Sequence, residues 1–190
     1  MNRRLVTLAT EEPLTLAEVK TFLRVDHEED DQELQTMIRA AREQAELHHG
    51  RELARQQWDV FLDAWPAYEI RLPSPLVSVE SVSYKAMDGS TADLVAGVDY
   101  FAGTDSEPGA VVCWPGKTWP ATDLWPSAPI RIRCTCGYTR EEVTDALKAG
   151  MKMLISGWYD NRSGFSVGNI AHPLPFAAQA CFELNRLIIF

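Results

Sequence analysis

Cys134 and Cys136 stand two residues apart in the run IRIRCTC, and on a strand that spacing turns both thiols to one face. Thiolates are nucleophiles and soft metal ligands, so this pair is the first candidate for chemistry. A closed zinc site needs four ligands, however. The remaining candidates, Cys113, Cys181 and the histidines, do not fall at zinc-finger spacing. The cysteines form neither a CxxC pair nor a disulfide framework. His48 and His49 are the other candidates, and a small metal- or thiol-dependent enzyme using Cys134, Cys136 and His48 or His49 is one hypothesis. The simpler account makes the cysteines buried small apolar residues. It places both histidines in the last turn of a helix, where a partly protonated imidazole favours the dipole. The acidic run Asp26-His27-Glu28-Glu29-Asp30-Asp31 offers hard oxygens to a cation but lacks an EF-hand's turn glycine and terminal glutamate. Neither GxGxxG nor GxxxxGK[ST] is present. The expectation is a protein without catalytic residues, cofactor or metal.

The elements that carry these residues are more informative. Residues 14–51, LTLAEVKTFLRVDHEEDDQELQTMIRAAREQAELHHGR, read as a short helix, an acidic elbow and a long helix. Thr15 and Glu18 form a capping box, with Leu14 and Val19 at hydrophobic-staple positions. Leu16, Val19, Phe22 and Leu23 give the first helix an apolar stripe, and Leu34, Ile38, Ala41 and Ala45 give the second its own. Gly50 is placed to end that second helix.

From 52 to 138 the period changes. Trp58, Val60, Leu62 and Ala64 alternate with Asp59, Phe61 and Asp63, and Ile130, Ile132, Cys134 and Cys136 alternate with Arg131 and Arg133 on the other side. The run from Val77 to Tyr84 shifts phase at Val82, which suggests a bulge. Asp88-Gly89 signals a hairpin. These strands predict one antiparallel sheet. Four of the six tryptophans precede proline, at 65, 114, 119 and 125, and so sit in extended or turning backbone. Their rings could pin a loop of about 115–128 onto the sheet, anchor a subunit contact, or form a sugar-binding platform. Helical spacing returns with Val143, Leu147, Met151, Leu154, Ile155 and Trp158, in a helix expected over 140–162. A glycine-containing break and Pro173 to Pro175 then precede a final apolar segment, 173–190.

Composition sets the class. With 190 residues, 46% hydrophobic and 24% charged, the chain fits one globular α+β domain: a helical bundle from both termini around an inserted antiparallel sheet. A net charge of −9 argues against binding a phosphate backbone. No apolar run is long enough to span a bilayer or serve as a signal peptide, so a cytoplasmic protein is expected.

The order of four stretches resembles the head–tail connector (adaptor) proteins of tailed bacteriophages, a family also found in phage-derived gene transfer agents. They are the helical hairpin at 14–51, RLPSPLVSVESVSY at 71–84, the strand-to-helix passage IRIRCTCGY-T-REEVTDALKAGMKMLISGWYDNR at 130–162, and HPLPFAAQACFELNRL at 172–187. The resemblance implies a non-enzymatic ring of about a dozen copies below the portal, built on head-to-tail contacts. DNA would pass through its lumen without sequence-specific binding. A downstream stopper or tail-completion protein would dock on the far side, in a virion neck assembled in the bacterial cytoplasm. Trp114, Trp119 and Trp125, with the sheet edges, are the expected subunit interface. Phe176, Leu184, Leu187, Ile188, Ile189 and Phe190 are the expected portal-docking residues, because an apolar chain end implies a partner surface; the alternative is that the segment packs onto the protein's own bundle.

Overall fold

A computed structural model describes residues 2–161, 176–184 and 186–187. The chain divides into a sheet unit, Met1–Thr10 with Arg55–Gly137, and a helical unit, Glu11–Ala54 with Tyr138–Phe190. The α+β class expected from the sequence holds, with helices from both terminal regions and antiparallel sheets from the middle.

The helical unit begins with α1 (Leu16–Leu23), and its capping box is formed. Thr15 Oγ1 accepts from the Glu18 amide (3.1 Å), while the Thr15 amide donates to Glu18 Oε2 (2.7 Å). Leu14 and Val19, the staple pair, are fully buried. Helix α1 stops at Arg24, a non-glycine residue in the left-handed region (φ 59°). Helix α2 (Asp31–His49) buries Leu34, Ile38, Ala41 and Ala45, and ends at Gly50 (φ 77°) as its sequence demands. Helix α3 spans Asp145–Asp160 and starts later than its spacing suggested. Thr139 and Glu142 form a separate turn, with the Thr139 amide donating to Glu142 Oε2 at 2.7 Å, and extended Thr144 resets the chain. Leu147, Met151, Leu154 and Ile155 of α3 share one core with the buried face of α2. Helix α4 (Phe176–Glu183) adds Ala178 and Phe182 to that core.

The sheet unit opens with β1 (Asn2–Thr7), a strand the sequence did not disclose. With β2 (Gln56–Leu62), β4 (Leu76–Lys85), β5 (Thr91–Leu94) and β8 (Ile130–Cys136) it forms a five-stranded sheet ordered β1-β2-β8-β4-β5. Every pairing in it is antiparallel. The remaining strands, β3 (Glu69–Arg71), β6 (Tyr100–Gly103) and β7 (Ala110–Cys113), form a second sheet ordered β3-β7-β6. There are thus two sheets where one was expected. The shift near Val82 is a register irregularity between Val79 and Ser81, which swings the buried set back onto Val82. Val60, Ile130, Ile132, Cys134 and Cys136 fill the core of this unit. No helix among the described residues is long and apolar enough to cross a membrane.

Candidate interaction surfaces

The thiol pair is internal. Cys134 and Cys136 are fully buried, with their sulfurs 3.7 Å apart in the sheet core. Among the described residues no cluster of three or more His, Cys, Asp or Glu side chains could hold a metal ion. His48 and His49 belong to the helical unit and are held by its own packing. The His49 Nδ1 lies 3.0 Å from the Phe182 carbonyl, and its Nε2 lies 3.3 Å from Arg51 Nη1. A carbonyl only accepts and a guanidinium only donates, so the ring that satisfies both is neutral, with its proton on Nδ1. Through this contact His49 braces α4 against the end of α2.

Beneath the hairpin lies a buried charge cluster. Arg42, 3% exposed, donates from Nε to Glu12 Oε2 (2.8 Å) and from Nη1 to Glu46 Oε2 (2.7 Å). The Leu53 amide donates to the other Glu46 oxygen (2.8 Å). Burial pushes the Glu46 carboxyl up to about 7; Arg42 opposes this, and nearby Glu52 adds to it. Burial works against the Arg42 charge, but Glu46 and Glu12 more than offset it and hold the guanidinium above its ordinary value. This cluster is structural: it ties Glu12, α2 and Leu53 together. Adjacent in sequence to Glu12, Glu11 pairs with Arg140 (3.0 Å).

The tryptophan loop splits into inner and outer rings. Trp119 stacks on Trp65, with centroids 4.8 Å apart and planes 6° apart, and both pack against the sheet core. Trp114 and Trp125 are 37% and 39% exposed, and Lys85 Nζ sits 3.8 Å over the Trp125 ring. The inner pair pins the loop, while the outer rings face solvent.

Helix α4 also has two faces. Ala178 and Phe182 are buried, whereas Phe176, Ala180 and Leu184 recur at every fourth position and are exposed, Phe176 to 87%. This stripe could not be separated from the core face by sequence, because α4 is apolar nearly all round. A cavity of about 290 Å³ opens beside Leu184, with His49, Tyr138, Thr144 and Leu147 among its lining. Leu187 is half-buried, and its amide donates to the His49 carbonyl (3.0 Å). Of the expected docking residues, Ile188, Ile189 and Phe190 lie outside the described residues.

Both units thus leave large apolar rings at their surfaces, Phe176 and Leu184 in one, Trp114 and Trp125 in the other. Residues 13–84 match the family model described as phage gp6-like head-tail connector protein, which bears out the resemblance read from the sequence. Three solved structures share the fold across the whole chain. One, "Neck of empty GTA particle computed with C6 symmetry", matches with a TM-score of 0.80 at 18% identity, covering 100% of this chain and 97% of that one. A second, "Virion of native gene transfer agent (GTA) particle", matches with 0.80 at 21% identity and the same coverage. The third, "Neck of native GTA particle computed with C12 symmetry", matches with 0.77 at 20% identity, again over 100% and 97%. No curated protein matches the chain.

Proposed function

We propose that this chain is a structural head–tail connector subunit in the neck of a tailed phage or gene transfer agent. About a dozen copies form a ring below the portal through head-to-tail contacts. The ring extends the DNA channel and presents a docking surface to a later stopper or tail-completion protein. Its role is adhesive and mechanical, not enzymatic. One observation carries the reading: the fold coincides over the full chain with chains of gene transfer agent particles, two of them in neck structures, while residues 13–84 match the connector family. The C12 symmetry of one of those necks supports the copy number. A net charge of −9 suits a channel wall that DNA passes without adhering.

Two surfaces serve the assembly. The exposed stripe of α4, Phe176 with Leu184, faces the portal, together with the chain end from Leu187 to Phe190. Trp114 and Trp125 contribute to the contact between copies, and Trp119 holds their loop in place. Truncation after Asn185 tests the docking surface. A soluble, folded protein that no longer attaches to portal-bearing heads is expected. Unfolding or aggregation of the truncated chain would place the segment in the protein's own core.

A further inference from the structure

Building on the ring reading above, we infer that the five-stranded sheet continues from one copy to the next, β5 of one copy pairing in parallel with β1 of its neighbour. The register places Asp93 and Leu94 against Arg4 and Leu5 of the second copy.

Strands β1 and β5 are the two open edges of the same sheet. Four successive antiparallel steps separate them, so both run in the same direction. A second copy set beside the first in the same sense therefore meets β5 with a parallel β1. Repeating that contact is a head-to-tail interface, the kind that closes a ring when its rotation permits.

The two edges match at two successive positions. Along β1 only Leu5 is half-buried, and along β5 only Leu94 is. Both lie on one face of the sheet: Leu94 continues the row Val60, Ile132 and Val82, and Leu5 stands in the next row beside Trp58 and Cys134. Arg4 and Asp93 lie on the opposite face, in rows through Asp59 and Phe61 respectively. The Arg4 side chain is 68% exposed and shares Asp59 with Arg133. Asp93 is exposed, and its side chain has no ionic or hydrogen-bonding partner among the described residues. The match ends there: β1 shifts register between Leu5 and Thr7, and β5 ends at Leu94, after which the Val95 amide donates to Asp99 Oδ2 at 2.9 Å. In this register a cation meets an anion and leucine meets leucine, each pair on a common face. An open sheet edge is a template for strand addition, and the charge on β1 selects an acidic partner strand.

The test mixes two single variants of the full chain, Arg4→Cys and Asp93→Cys, under mild oxidation. Neighbouring strands lie roughly 4.8 Å apart, within disulfide reach. The mixture should give a linked dimer that neither variant alone nor the wild type gives, and a chain carrying both changes should give a ladder. Asp93→Arg, at an exposed position, should weaken association about tenfold by opposing two cations. Multimers seen by light scattering without that linkage would overturn the edge pairing and leave the ring standing. A chain that stays monomeric at every concentration and forms no linkage would overturn both.

Discussion

Gly150 of α3 lies directly under Phe182 of α4: a Cβ built on Gly150 would stand 2.7 Å from Phe182 Cε1 and 2.9 Å from the Cys181 Cβ. The absent side chain is what lets the last helix seat on the bundle. Gly150→Ala should raise intrinsic helix propensity in α3 by about 1 kcal/mol yet push α4 outward. Hydrogen exchange over residues 176–184 should accelerate while α3 stays protected. Unchanged protection of α4 would refute the close seating.

Ile38 tests the packing of α2 on α3. It is 3% exposed and shares a core with Leu147, Met151 and Leu154. Ile38→Asp would bury an unpaired charge and should cost several kcal/mol, on the order of 3 or more. Chemical denaturation should show a large fall in midpoint. A mutant melting with the wild type would contradict the packing.

Glu46 predicts a pH dependence with a definite sign. Its folded carboxyl sits at about 7, against an ordinary value of 4.5, so the folded state holds a proton that the unfolded state releases. The stability from this group is complete below about 4.5 and declines as pH rises through about 7. The loss is on the order of a few kcal/mol at roughly 1.4 kcal/mol per pH unit. Glu46→Gln should flatten that slope in denaturation curves taken between pH 5 and about 8, relative to the wild type. Asp59 acts in the opposite sense and lower down. Hydrogen bonds from Arg133, then Arg4, outweigh burial and hold its carboxyl below the ordinary 3.8. Its stabilisation is present above that value and is lost as pH falls through the folded value.

Arg24 closes α1 in the left-handed region, where a side chain is strained and glycine is not. Arg24→Gly should stabilise the protein by about 0.5–1 kcal/mol, read as a rise in melting temperature. A lower melting temperature would mean that the Arg24 side chain contributes more than its backbone costs.

The sequence and the structure agree best where local signals are redundant. Thr15, Glu18, Leu14 and Val19 each specify the start of α1, and Gly50 the end of α2, so the hairpin was legible without tertiary information. Strand β1 was not, because an edge strand exposed on nearly every residue has no apolar alternation to read. That β3, β6 and β7 pair apart from the main sheet was not legible either: their alternation marks strands, but three or four residues carry too little pattern to fix which strands they pair with. His49 and α4 needed long-range contacts. The carbonyl that fixes the His49 tautomer is 133 residues away in sequence, and the buried and exposed faces of α4 carry similar residues. The tryptophans were legible as a loop anchor, but only packing separated Trp119 from Trp114 and Trp125.

The most direct measurement is electron microscopy of the purified chain mixed with portal-bearing heads, with mass determined by light scattering. The account predicts an added ring of about a dozen copies at the portal vertex, and none on heads lacking a portal. A chain that stays monomeric and leaves the portal bare would contradict it.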